Sequence, residues 1–305
     1  MTALAPPVGV RRRLRAARPA RAAIRPGEVE EAVSLVSSIF TMVAIISLWF
    51  VFQLLVLSGF SEGRDQHLLY QQFREQVAAA TAPTGPVVAP GKPVALLTIP
   101  HLGLSQVVVE GTASGDLLAG PGHRRDTVLP GQRGVSLVYG RASTYGAPFS
   151  RVTTLHQGDQ IVVQTAQART VFEVDAVRRA GDPLPTPPTG EQARLTLVTA
   201  EGTGPLSGLR ARNAVYVDAT AAKGQPFPAG RPTAVPATEK AMAVETGALP
   251  MLALALALLG ALTLGVTVAR QRWSGALVWV IASPVVVALA WFTTDVVMRL
   301  LPNLI

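Results

Sequence analysis

The stretch HQGDQIVVQTAQARTVFEVDAV, His156 to Val177, decides what kind of fold this chain adopts. HQGDQ reads as a turn entering a strand, because Gly and Asp stand where the backbone must bend. DQIVVQT and RTVFEVDAV are short and rich in β-branched and aromatic residues. In the second, Phe172, Val174 and Ala176 fall on one face and Glu173 and Asp175 on the other, the alternation of a half-buried strand. The same punctuation extends both ways. ALLTIP, QVVVEG, GVSLVYG, RLTLVTA and NAVYVDA each fit a strand between breaks rich in Gly and Pro. GDLLAGPGH, Gly115 to His123, has room for one helical turn. About seven short strands across residues 94–219 predict an all-β unit, a closed barrel or a sandwich.

Outside this unit the chain is apolar. AVSLVSSIFTMVAIISLWFVFQLLVLSG, residues 32–59, carries no charge and is long enough to cross a bilayer. It is too long for the core of a cleaved signal peptide, so it reads as a retained signal anchor. Two further spans are expected at residues 248–269 and 275–298, joined by RQRWS; Pro284 lies inside the last. Seven arginines and no acid occupy Arg11 to Arg25, within the basic tail of residues 1–31. That block and Arg270 with Arg272 agree on one orientation by the positive-inside rule. The N-terminus is then cytoplasmic, the β unit extracytoplasmic, and the protein a multi-pass protein of the cell membrane. Residues 60–93 and 220–247, rich in Pro, Ala and Gly, read as a stalk and a linker, with a short helix at His67–Val77. Asp295 is expected near the outer interface.

Composition closes off several classes of function. The chain of 305 residues contains no cysteine, which removes disulfides, thiolate metal sites and any cysteine nucleophile. The net charge of +8 comes mostly from the N-terminal arginines, while bases and acids nearly balance across residues 94–219. No aromatic residues are interleaved with those arginines, so no nucleic-acid partner is expected. His67, His101, His123 and His156 lack metal-ligand spacing, and no phosphate loop or nucleophile elbow appears. Neither a metal nor an organic cofactor is expected.

Several segments in a fixed order resemble the sortases, above all the actinobacterial class E type. They are LTIPHLGLSQVVVEGTASGDLLAGPGH, LPGQRGVSLVYG, STYGAPFSRVTTLHQGDQIVV, LTLVTA and LRARNAVYV, spread over residues 96–219. The resemblance implies an eight-stranded sortase-like closed β-barrel held in the membrane; with the spans read above, it carries one N-terminal and two C-terminal transmembrane helices, two more than the usual single anchor. It also implies a peptide-cleaving transpeptidase: a cysteine thiolate attacks, a histidine handles the proton, and an arginine steadies the oxyanion. In this chain the histidine position falls on Arg141, within VYGRASTYGAPF, and the nucleophile position on Ala200. The arginine position falls on Arg210 or Arg212, and Asn213 fits the spacing as well.

A methyl group cannot attack a carbonyl, and a guanidinium stays protonated at neutral pH. The resemblance therefore implies a pseudoenzyme of the cell envelope with no catalytic residue. Arg141, Glu201, Arg210, Arg212 and Tyr145 are left as a possible groove for a peptide, and Glu201 is a candidate partner for the arginines. His123 reads as structural. Thr199 points away from the face of residue 200, since strand neighbours alternate. Ser207 or a tyrosine is what an active, rearranged acyl transferase would use. The expected partners are the membrane and either a surface protein with a sorting-signal-like peptide or a membrane protein bound through the C-terminal helices.

Overall fold

β-branched and leucine side chains alternate with polar ones through short segments, and among the described residues eight of these pair into a closed barrel. The structure is a computed structural model. It describes Ser37, Phe40, Ala44, residues 47–85, residues 87–202, Ala211 and residues 213–305. The chain divides into two units, residues 1–48 and 49–305. The few described residues of the first are helical. Part of the span expected at residues 32–59 lies outside the described residues, and those described there are helical.

The strands are β1 (Pro93–Ile99), β2 (Leu104–Glu110), β3 (Gly122–His123), β4 (Gly134–Tyr139), β5 (Gln160–Gln164), β6 (Arg169–Arg178), β7 (Ala193–Glu201) and β8 (Asn213–Ala221). Their order round the barrel is β1-β2-β3-β4-β7-β8-β6-β5, and β5 returns to β1 to close it. Closure leaves no free sheet edge. Inward side chains from every wall, among them Leu97, Ile99, Val108, Val138, Phe172, Leu195, Leu197 and Val217, meet in one core. The seven segments read from the sequence all form strands. The eighth, β3, is two residues long and follows a 3-10 turn at Asp116–Leu118.

One detail of the alternation fails. Phe172 and Val174 are buried as expected, but Ala176 is exposed. The pairing of β6 with β8 shifts register between Val174 and Ala176. Such a bulge adds a residue to one strand and turns the following side chains over. Val177 packs against the core instead.

The segments on either side of the barrel do not stand away from it. Helix α1 (Ser58–Ala78) follows a π-helical turn at Gln53–Leu57, and the helix expected at His67–Val77 is its C-terminal half. Gln66 donates to Val107 O (3.1 Å) and Ala119 O (2.7 Å) and accepts from the Val107 amide (2.7 Å), so α1 completes the hydrogen bonding of β2. In the Pro/Ala-rich segment, the Gln225 amide bonds Gly131 O (2.8 Å), and Thr112 Oγ1 donates to Glu239 O (2.7 Å).

The C-terminal hairpin is made of α2 (Leu249–Arg272) and α3 (Gly275–Arg299). Both helices are long and apolar enough to cross a membrane, and their apolar surfaces are almost wholly uncovered within the chain. The end of α3 turns back onto the barrel, where the Glu245 amide bonds Arg299 O (3.0 Å) and the Asn303 amide bonds Ala243 O (2.9 Å).

Candidate functional site

Strands β4 and β7 run parallel, with Tyr139 beside Val198. The Gly140 amide continues the ladder to Val198 O at 2.9 Å. Alternation sends Val138, Leu195 and Leu197 into the barrel and turns Tyr139, Val198 and Ala200 outward. The outward set is not exposed. It packs with Leu117, Ala211, Leu304 and Ile305 in a second apolar cluster. Ala200 is only 6 % exposed and Leu304 is fully buried. β7 is therefore covered on both faces, and its outer face is covered in part by the last residues of the sequence.

The loop leaving β4 is tightly formed. A side chain at Gly140 would run into the Phe149 ring, and one at Gly146 would run into the Glu62 carboxyl. Tyr145, Gly146 and Ala147 all have positive φ, at 50°, 73° and 44°. For Tyr145 and Ala147 that conformation costs about 1–3 kcal/mol each and persists only where surroundings impose it. Here Ser58 Oγ accepts the Tyr145 amide (3.2 Å), and the Tyr145 hydroxyl donates to Asp295 of α3. Burial, reinforced by Asp295, pushes the Tyr145 phenol well above its ordinary pKa, so it remains a donor.

Arg141 follows β4 after Gly140 and is completely buried. Its Nε donates to Leu117 O (3.2 Å), Nη1 to Thr144 Oγ1 (3.2 Å) and Ile305 O (2.9 Å), and Nη2 to Ser114 O and Oγ (both 2.9 Å). These partners are three main-chain oxygens and two hydroxyls. Its Cζ lies 5.5 Å from the Tyr145 ring centroid. Burial lowers the guanidinium pKa to about 10, with Tyr145 acting in the opposite sense. The group thus stays a cation at neutral pH, locked in place as a donor.

The expected groove residues therefore separate. Arg141 and Tyr145 are neighbours. Glu201 pairs with exposed Arg179 (2.6 and 3.0 Å). Arg210, Arg212 and Ser207 lie outside the described residues. Asn213 opens β8 opposite Glu201 and is exposed. Thr199 is buried, with its hydroxyl 3.5 Å from Phe149 O, on the opposite face from Ala200. His123 is buried between Glu110 Oε2 (2.8 Å) and Val128 O (2.8 Å), which holds β3 to its neighbours. The sequence reading missed Ser114, Thr144 and Asn303 to Ile305. No periodicity or motif marks them, because they meet Arg141 only through tertiary contact.

The family model for the sortase domain matches residues 97–220, the span of the barrel. This barrel is a sortase domain. Solved structures similar to the chain include the sortase D5 transpeptidase of Clostridium perfringens, 20% identical over 52% of this chain and 97% of that one (TM-score 0.41). Sortase E1 of Streptomyces coelicolor, solved with a tripeptide in its active site, is 23% identical over 46% and 94% (TM-score 0.37). Sortase E of Streptomyces avermitilis is 26% identical over 46% and 93% (TM-score 0.35). No curated protein matches the chain. Within this sortase domain, Arg141 lies just past the end of β4 and Ala200 on the neighbouring parallel strand β7, and the C-terminal residues pack into the same cluster as Ala200.

Proposed function

We propose that this protein is a non-catalytic, membrane-held sortase of the cell surface, whose domain holds a peptide or protein segment without cleaving it. The observation that carries this is Ala200: the position that resemblance gives to the nucleophile holds a methyl group, buried in one apolar cluster with Leu304. The neighbouring cation supports it. A general base must give up its proton near the working pH, and Arg141 has a pKa of about 10 with its N–H groups engaged. Losing one member of a catalytic unit already costs orders of magnitude, and here both nucleophile and base are replaced. The membrane assignment draws on the apolar helices α2 and α3 and on the N-terminal arginines. In this reading the N-terminus is cytoplasmic and the domain extracytoplasmic.

The test is a search for a covalent intermediate. The full chain, incubated with a sorting-signal peptide with and without an amine acceptor, is expected to show no acyl-enzyme by intact-mass measurement and no peptide turnover. An adduct on any serine, threonine or tyrosine would replace this reading with that of a rearranged acyl transferase. A second reading, in which the helices carry the function, is favoured by the uncovered apolar faces of α2 and α3. It makes the barrel an accessory to a membrane complex.

A further inference from the structure

We propose that residues 301–305, Leu-Pro-Asn-Leu-Ile, are a tethered ligand of the sortase domain. They fill the cleft over Ala200 in cis, and the cleft takes an extended peptide of the same kind in trans when they leave. The inference deepens the reading above by naming the segment that the domain holds.

The contacts are those of a peptide in a recognition site. The Ala142 amide donates to Leu304 O at 2.9 Å, and Ile305 O accepts from both Arg141 Nη1 (2.9 Å) and Thr144 Oγ1 (2.6 Å). Three fixed donors thus read main-chain oxygens of the occupant. Asn303 Nδ2 donates to Thr112 O (2.7 Å) and Lys240 O (3.0 Å), and the fully buried Leu304 side chain belongs to one apolar cluster with Tyr139, Val198 and Ala200. Main-chain bonds with one polar and one apolar side-chain contact are how extended peptides gain affinity and selectivity.

Part of the cleft is held by barrel groups apart from its occupant. Arg141 bonds Leu117 O and Ser114 O as well as Ile305, while the Ser114 hydroxyl, which also accepts from Arg141, donates to Met298 O (3.0 Å) and Leu301 O (3.3 Å). Departure of the segment strips the acceptors from the Ala142 amide, Thr144 hydroxyl and one Arg141 N–H. Leaving buried donors unpaired is unfavourable, so the empty cleft favours another occupant with carbonyls in the same places. A tethered occupant competes at an effective concentration in the millimolar range, which sets the level a free peptide must reach.

The cysteine-free sequence makes this testable by thiol accessibility. Ala200→Cys places a single thiol under Leu304, Ala211→Cys a second reporter in the same cluster, and Leu184→Cys an exposed reference, since Leu184 is 83 % exposed. In the full chain in detergent, maleimide should label both cleft thiols at least about tenfold more slowly than the reference thiol, because reaction follows exposure. Adding Leu304→Asp, or separately Asn303→Ala, should remove most of that protection while the thermal midpoint still reports a folded barrel. A free peptide reproducing residues 300–305, at about 10 mM, should restore the protection. Cleft thiols that label as fast as the reference thiol in the otherwise unaltered chain overturn the proposal. So do cleft thiols that stay slow when folded tail variants are used, and so does failure of the peptide to protect. None of these readouts depends on turnover, so they are separate from the acyl-enzyme test.

Discussion

Arg141 shows how much a single residue can change meaning between sequence and structure. Resemblance puts it where a histidine handles protons, and as a cation in a groove it would greet a peptide carboxylate from solvent. Instead it is fully buried, and its N–H groups tie together the 3-10 turn before β3, the loop after β4 and the end of the chain. Arg141→Ala removes these bonds and leaves several buried oxygens without donors. The expected loss is about 3–5 kcal/mol of stability, in line with broken buried polar networks. Denaturant unfolding in detergent measures it, and a loss below about 1 kcal/mol contradicts the structural role. The residue type and its place after β4 were legible in the sequence. Its direction was not, because that depends on Ser114, Leu117 and Ile305 converging from distant parts of the chain.

Among the elements, α1 departs furthest from expectation. Its composition is that of a solvated helix, yet Glu62 is only 5 % exposed and accepts a hydrogen bond from Gln106 of β2 (2.7 Å). Burial raises the Glu62 pKa from 4.5 to about 7, with the Gln106 bond acting to lower it. A carboxyl whose pKa is higher folded than unfolded binds more protons in the folded state, so stability falls as pH rises across that interval. Between pH 4.5 and about 7 this group should cost the fold about 3 kcal/mol as it ionises. Glu62→Gln keeps the hydrogen-bond acceptor and should flatten that part of the pH–stability profile. An unchanged slope shows that α1 does not hold Glu62 buried. The bulge in β6 makes a similar point. Alternation located the strand and the inward faces of Phe172 and Val174, but it carries no information about an inserted residue that exposes Ala176.

At the scale of the whole molecule, helices and barrel are joined at one corner. Gln53, just before α1, donates to Trp291 O of α3 (3.2 Å), the Tyr145 hydroxyl bonds Asp295, and the chain beyond α3 closes over Ala200. An extracytoplasmic barrel requires the α2–α3 turn to face the cytoplasm. In intact cells a membrane-impermeant maleimide should label Leu184→Cys at once, and Trp273→Cys only after permeabilisation. The reverse pattern inverts the topology. The Pro-rich segment of residues 220–247 read as a spacer, but its backbone bonds to the barrel at Gln225 and Glu239 make it part of the wall that leads α2 to this corner.

The sequence by itself determined seven of the strands, the apolar C-terminal helices and the lack of any cysteine. Period-two alternation, long uncharged runs and the absence of cysteine are local properties that no packing can alter. The tertiary structure alone decided what surrounds Arg141 and Ala200. Arg141 is drawn inside, and Ala200 and Leu304 are brought into one apolar cluster, by contacts between residues far apart in the chain. Such contacts depend on closing the barrel and returning the hairpin, which no local pattern encodes.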